Sequence, residues 1–127
     1  MSPGGSDSRI TGSAVEDAAA SYLESIGYRV MERNYRARVG EIDIVAIDDG
    51  TLVFVEVRYR KASSLVSPEE SLTRRKVRRL ELTARRYLAE RAIEGSAPIR
   101  FDLCAVSDAG RSIRVLRNIV GFGQALG

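Results

Sequence analysis

Residues 40–60, GEIDIVAIDDGTLVFVEVRYR, decide the fold. Two runs rich in apolar and β-branched residues, 41–47 and 52–59, flank the polar tetrapeptide at positions 48–51. Such runs favour strands. An Asp-Gly pair between them favours a tight turn, because both residues tolerate a positive φ. The stretch therefore predicts an antiparallel β-hairpin.

The register of this hairpin predicts an unusual meeting of charges. With the Asp-Gly pair as the two loop residues, Asp43 faces Glu56 and Glu41 faces Arg58 on one face of the sheet; a three-residue loop would shift this register. Like charges directly opposed are unfavourable. A divalent cation would offset that cost, since Mg²⁺ binds one or two carboxylates together with water and substrate phosphate. The hairpin thus predicts a metal site for phosphodiester chemistry. The alternative is a solvent-facing strand in which Glu41 pairs with Arg58.

Composition narrows the class of protein. The chain has 127 residues, 44% hydrophobic residues, no His, one Cys and a net charge of +3. This length suits one domain with a single core. The absence of His excludes Ser-His-Asp triads and His-ligated zinc, and a lone Cys excludes an internal disulfide. Without an apolar run of roughly 18 residues or a signal core, we expect a cytoplasmic protein with no membrane contact.

The order of elements predicts the fold class. The Ser/Gly-rich residues 1–12 predict a disordered tail, and residues 13–127 predict a single nuclease-like domain. Ser67 followed by Pro68 marks a helix start. The segments predicted outside the hairpin are a helix at 13–26, a strand at 28–36, a helix at 68–91 with a break near Thr73, and strands at 99–106 and 112–116. This order predicts an α/β (α+β) fold with a mixed central sheet flanked by helices.

Basic residues concentrate in two places. Residues 74–91 contain eight basic and two acidic residues, a local charge of +6. A charged helix face is commonly just solvated, but this density is also typical of a nucleic-acid footprint. The second cluster, Arg33, Arg36 and Arg38, precedes the hairpin. It either contacts phosphate or lies on a solvated edge strand, where charged residues commonly prevent pairing with another chain. The candidate phosphate-binding residues are Arg33, Arg36, Arg38, Arg74, Arg75, Arg78 and Arg79.

Two further residues have a structural and a chemical interpretation. Glu16 fits a capping box with Ser13, or it adds a third carboxylate to the hairpin site. Lys76 lies near the apolar stripe of the basic helix, where most lysines extend their charge to water. An inward Lys76 would be a candidate for chemistry beside the hairpin carboxylates.

The segments 40–46 (GEIDIVA) and 53–57 (VFVEV) together resemble the YraN-type family of small uncharacterised bacterial proteins. That family is placed with the restriction-endonuclease-like, Holliday-junction-resolvase-like nucleases. The resemblance runs from about residue 13 to residue 106 and includes Glu16 and Lys76. It implies a restriction-endonuclease-like sheet with a D-(x)n-E-x-K site for Mg²⁺ or Mn²⁺. Asp43 and Glu56 would hold the metal, and Glu16 would complete the site.

The chain departs from the family motif at Arg58, where the motif has Lys. Arg can hold a phosphate bidentately, but it cannot act as a base because it stays protonated. Either the metal alone lowers the pKa of the attacking water, or Lys76 supplies the missing ammonium. Glu41 matches an extra family acid without a settled role.

The sequence therefore predicts a metal-dependent endonuclease that acts on DNA, with branched or damaged DNA among its candidate substrates. Its predicted catalytic residues are Glu16, Asp43, Glu56, Arg58 and Lys76. One alternative is a non-catalytic nucleic-acid-binding module with a degenerate site, and another is an interaction scaffold. A resolvase would need a two-fold dimer, so a homodimer is left open.

Overall fold

The computed structural model describes residues 11–61, 63–93 and 97–120. The predicted tail at 1–12 falls mostly outside them, and its last two residues cap and begin a helix. Among the described residues lie two α-helices, five β-strands and two short 3₁₀ turns, Glu69–Ser71 and Asp108–Gly110. In chain order the main elements are α1 (Gly12–Ser25), β1 (Arg29–Ala37), β2 (Gly40–Asp48), β3 (Thr51–Arg60), α2 (Arg74–Glu90), β4 (Ile99–Ser107) and β5 (Ser112–Val120).

The strands form one five-stranded mixed sheet in the order β1-β2-β3-β4-β5. β3 and β4 run parallel, and the other neighbours run antiparallel. A parallel pair needs a long crossover, and the segment containing α2 provides it. The predicted fold class, a mixed sheet flanked by helices, is confirmed and is consistent with a restriction-endonuclease-like fold. The single-domain assignment over residues 13–127 stays a prediction.

The central hairpin has the predicted turn and register. Asp49 and Gly50 both have positive φ, 51° and 83°, as a two-residue type I′ loop requires. From this turn, β2 and β3 pair residue by residue as far as Ile44 and Val55. Turn chemistry alone therefore fixed which residues face each other over this part of the hairpin.

Pairing ends at Ile44 and Val55, so the facing pairs predicted beyond that point are wrong. Asp43 is not opposite Glu56 in the ladder, and Glu41 is not opposite Arg58. The physical reason lies in the Asp43 side chain. Its Oδ2 accepts a hydrogen bond from the backbone amide of Val57 at 2.8 Å, so a carboxylate occupies the donor that would otherwise be available to a backbone carbonyl.

Within the part of the chain that the structure describes, the core consists of two clusters on opposite faces of the sheet. Val53 and Val55 of β3 pack with α1, whereas Phe54 between them packs with α2, as alternation along a strand requires. On β2 this alternation breaks: Ile44 belongs to the α1 cluster, but Ile42 belongs to the α2 cluster. The break falls at Asp43, where the ladder also ends.

Both helix starts differ from the predicted ones. The start predicted at Ser67 and Pro68 leads only into the 3₁₀ turn Glu69–Ser71, because Leu72 is extended, and α2 itself begins at Arg74. Thr11 caps α1, since its Oγ1 accepts the Ala14 amide at 3.0 Å. The capping box predicted between Ser13 and Glu16 is therefore wrong, because both residues lie inside the helix. The break predicted near Thr73 is confirmed, since Thr73 caps α2 at Arg74.

Among the described residues, no helix combines the length and apolar character that a membrane crossing demands.

Candidate active site

A cavity of about 470 Å³ lies between β2, β3 and the first turns of α2. It brings together four of the five predicted catalytic residues, with Glu16 outside its lining. Its charged lining residues, three acidic and four basic, are Arg36, Glu41, Asp43, Glu56, Arg58, Lys76 and Arg79. A cavity with both signs of charge can hold a cation and an anion side by side.

Strand alternation places Glu56 and Arg58 in this cavity. Phe54 faces α2, so the residues two and four positions further along β3 point to the same side. Their side chains are only 19% and 17% exposed. Residues 53–58 (VFVEVR) thus carry their apolar side chains into the core and their two charged side chains to the cavity wall.

Asp43 enters the cavity from β2, and its environment disfavours the charged form. Burial, followed by repulsion from Glu56, raises the pKa of Asp43 to about 7. The Val57 amide opposes this shift by hydrogen bonding, whereas Glu16 and Glu41 add smaller repulsions. A carboxylate in this state is stabilised by any cation that enters the cavity.

The positive charge of Arg58 lies close to Glu56, the second acid of the cavity. Its Nε lies 3.4 Å from Glu56 Oε2, and its Nη2 donates to the Ser71 carbonyl at 3.4 Å. Burial raises the pKa of Glu56, while the charges of Arg58 and Lys76 lower it. The site therefore contains one acid with a nearby guanidinium, Glu56, and one held by a backbone amide, Asp43.

Glu41 lies at the rim of the cavity. It pairs with Arg36, Oε1 to Nε at 3.5 Å, and the two side chains are 53% and 76% exposed. The predicted pairing of Glu41 with Arg58 is wrong, since the ladder that would have set them face to face ends before it reaches them. The inner acids of the cavity are therefore Asp43 and Glu56.

Glu16 approaches Asp43 from the α1 side. Both line a smaller cavity of about 230 Å³ together with Val57 and Tyr59. Across residues 11–61, 63–93 and 97–120, no group of three or more His, Cys, Asp or Glu side chains is arranged to hold a metal ion. The structure thus places Glu16 beside Asp43 but does not form a three-acid cluster.

Gly40 allows α2 to approach the site, and sequence reasoning missed this role. A Cβ at Gly40 would lie 2.8 Å from Thr83 Oγ1 and 3.0 Å from Arg79 Cγ. Thr83 is fully buried and donates to the Arg79 carbonyl at 2.7 Å. The signal was the glycine that opens the GEIDIVA run. The close contact carries Lys76, one turn before Arg79, to the cavity wall.

The predicted phosphate-binding arginines are distributed unevenly. Arg36 and Arg79 line the cavity. Arg33 instead pairs with Asp17 at 2.8 Å and with Glu16 at 3.6 Å, so its charge is already compensated. The remaining four are exposed outside the cavity lining: Arg38, Arg74, Arg75 and Arg78. Contact of these residues with nucleic acid stays a prediction.

Comparison with known proteins gives one consistent result. The profile of uncharacterised protein family UPF0102 matches residues 15–106. A UPF0102 protein of Persephonella marina is 48% identical over 97 residues, which cover 76% of this chain and 83% of that protein. A UPF0102 protein of Methylococcus capsulatus is 43% identical over 122 residues, covering 94% and 98%. One from Vibrio parahaemolyticus is 37% identical over 115 residues, covering 91% and 95%.

Proposed function

The chain belongs to the UPF0102 family of YraN-type proteins, and we propose that it is a Mg²⁺- or Mn²⁺-dependent nuclease that hydrolyses phosphodiester bonds of DNA. The observation that carries this proposal is one cavity in which the half-buried carboxylates of Asp43 and Glu56 meet the cationic side chains of Arg58 and Lys76. Stability alone does not favour two acids placed together. The arrangement suits a site that binds a metal ion and a phosphate group.

The donor set fits a hard divalent cation. Mg²⁺ takes oxygen ligands, keeps several waters, and is typically held by one or two carboxylates plus substrate phosphate. Asp43 and Glu56 supply two carboxylates in a cavity with room for water and a phosphate group. When bound there, the ion supplies a Lewis acid that lowers the pKa of a water molecule and polarises the phosphoryl oxygen.

The two cationic residues have separate roles: Arg58 binds the phosphate, and Lys76 acts on the attacking water. Arg58 presents a planar guanidinium that binds the phosphate oxygens bidentately and stays protonated throughout. Lys76 lies on the opposite wall, and its charge acts on Glu56. Its flexible ammonium orients the attacking water and stabilises the negative charge that develops on the phosphoryl oxygens. Lys76 therefore takes the place of the lysine that the family motif has where this chain has Arg58.

The Val57 amide orients the Asp43 carboxylate, and Glu16 adds to the negative charge around it. The Val57 amide fixes one carboxylate oxygen at 2.8 Å, so the other is available to a ligand. Glu16 contributes negative charge from the α1 side without lining the main cavity. Its role is therefore to strengthen the electrostatic attraction of a cation to Asp43.

The surface around the cavity suits contact with a nucleic-acid backbone. The exposed arginines of α2 begin at the cavity wall and continue along the helix. Contacts of this type neutralise phosphates, position the duplex without reading its sequence, and weaken steeply as salt rises. DNA bound along α2 would present one phosphate to the cavity.

The proposal is tested by cleavage of plasmid DNA in Mn²⁺ with a matched pair of variants. Asp43→Asn removes one metal carboxylate and keeps the shape of the side chain. Asp49→Asn makes the same change in the exposed turn of the same hairpin, outside the cavity. Cleavage lost in the first and kept in the second supports the proposal, and cleavage that survives in Asp43→Asn contradicts it.

One observation favours a second candidate, a nucleic-acid-binding module that does not cleave. Arg58 pairs with Glu56, so the site contains its own counter-charge for one of the two acids. Under this alternative, DNA binding is salt-sensitive, Mn²⁺ produces no nicked product, and Asp43→Asn leaves the affinity for DNA unchanged. Binding and cleavage assays on the same preparation distinguish the two functions.

A further inference from the structure

The ion pair between Arg58 and Glu56 is held by charge and not by a hydrogen bond. The two residues are neighbours on one face of β3, and their closest charged atoms, Nε and Oε2, are 3.4 Å apart. Arg58 Nε is buried and has no hydrogen-bond partner among the described residues. Its Nη2 contact with the Ser71 carbonyl is also long, at 3.4 Å. The guanidinium is therefore near Glu56 with part of its hydrogen-bonding capacity unused.

We propose that Arg58 is the internal counter-ion of Glu56 and that it weakens the binding of a divalent cation until a phosphate group draws its guanidinium away. The inference rests on the proposed function, since it takes Asp43 and Glu56 as the residues that bind the metal. A cation entering the cavity would share Glu56 with a positive charge already 3.4 Å away. Repulsion between the two cations lowers the affinity for the metal.

A phosphate group reverses this competition because it is the better partner for arginine. Guanidinium forms two parallel, charge-assisted hydrogen bonds to phosphate oxygens, whereas its present contact with Glu56 is a single long one. Once Arg58 binds phosphate, Glu56 is released to the metal. Metal and nucleic acid then bind cooperatively, and by linkage each raises the affinity for the other by the same factor.

The test is calorimetric titration of the full chain with Mn²⁺ alone. Arg58→Met and Arg58→Gln remove the charge, and we expect both to bind Mn²⁺ about tenfold more tightly than the wild type, within the usual range of coupling between sites. Arg58→Lys keeps the charge and stays near the wild-type affinity. Arg114→Met is the control, because it removes an arginine whose partner is Glu69, and both residues lie outside the cavity lining. Its Mn²⁺ affinity stays close to the wild-type value.

The effect of nucleic acid on the affinity for Mn²⁺ provides a second readout. A phosphorothioate-linked DNA oligonucleotide, which is cleaved slowly, tightens Mn²⁺ binding to the wild type and tightens it less in Arg58→Met. If the neutral variants bind Mn²⁺ no more tightly than the wild type, or if the oligonucleotide leaves wild-type affinity unchanged, the inference is overturned while the proposed function stands. If neither the wild type nor any variant binds Mn²⁺, both this inference and the proposed function are overturned.

Discussion

The Asp43 carboxylate accepts a hydrogen bond from the Val57 amide at 2.8 Å, beyond Ile44 and Val55, the last paired residues of the central hairpin. A side-chain oxygen here accepts the hydrogen bond that a backbone carbonyl of β2 would accept in a regular ladder. This contact ends the pairing of β2 with β3 and fixes one oxygen of Asp43. The candidate active site therefore lies where regular pairing stops, and its first acid is oriented by the backbone of the strand that carries the second.

Asp43 makes the stability of the protein depend on pH. Its pKa is raised to about 7 from 3.8, so between these values the folded state holds a proton that the unfolded state has lost. The free energy of unfolding therefore falls as pH rises through this window. In Asp43→Asn this part of the fall disappears, and the variant is more stable than the wild type at pH 8 by about 1–3 kcal/mol. Urea titrations across the window measure the effect.

The control for this experiment is Asp49→Asn in the exposed turn. It keeps a residue that tolerates positive φ and leaves the buried carboxyl in place, so its stability follows the wild-type pH dependence. Equal pH slopes in the wild type and in Asp43→Asn would show that Asp43 titrates normally.

Divalent cations should stabilise the folded state at neutral pH. A ligand that binds only the folded state adds about 2.7 kcal/mol at a concentration one hundred times its Kd. We expect Mn²⁺ to raise Tm by several degrees and chelation by EDTA to reverse the rise. Both Asp43→Asn and Glu56→Gln should abolish the response, since each removes a proposed ligand. A Tm rise that persists in both variants would place the metal elsewhere.

Gly40→Ala should destabilise the protein because α2 lies too close for a side chain. The added Cβ would lie 2.8 Å from Thr83 Oγ1, and overpacking of this kind costs about 1–3 kcal/mol. Thr83→Ala removes the contacted oxygen, so the double variant loses less stability than the two single variants predict together. Gly12→Ala is the control, since its Cβ meets nothing within 4 Å. Additive losses in the double variant would contradict this account.

The sequence was sufficient for features set by neighbouring residues. The turn formed by Asp49 and Gly50 determined the register of the hairpin as far as Ile44 and Val55. Alternation along β3 then placed Glu56 on the face that meets α2. These features follow from local conformational preference and from the two-residue period of a strand, so they need no knowledge of the rest of the chain.

Features that depend on distant packing were not predictable in this way. The loss of pairing at Asp43 accompanies the packing of Ile42 against the α2 cluster, which no local pattern signals. The contact of Gly40 with Thr83 joins residues far apart in sequence. The partner of Arg58 also changed from Glu41 to Glu56, since the pairing that was expected to bring Glu41 opposite Arg58 does not form.

The exposed arginines of α2 should dominate DNA binding, whereas Arg33 should contribute little. Arg33 already pairs with Asp17 and Glu16, so a phosphate would have to compete with two carboxylates. We expect Arg75→Gln and Arg78→Gln each to weaken binding and to reduce the salt slope by about 1. Arg33→Gln should leave both nearly unchanged. Fluorescence anisotropy over a range of salt concentrations measures the affinity for DNA and its salt slope. If Arg33→Gln reduces the slope as much as Arg75→Gln does, this ranking is wrong.

Lys76→Met tests whether the lysine on α2 replaces the one missing from β3. Lys76 lines the cavity and its charge reaches Glu56, so its loss should lower the cleavage rate by about 10²–10³-fold, as for other groups that stabilise transition-state charge. Mn²⁺ binding should persist, since both carboxylates remain. Arg75→Met, at the neighbouring exposed position, is the matched control and should lower the rate much less, through DNA affinity alone. If both variants cleave equally at saturating DNA, Lys76 acts only as a surface charge and the metal alone must activate the water.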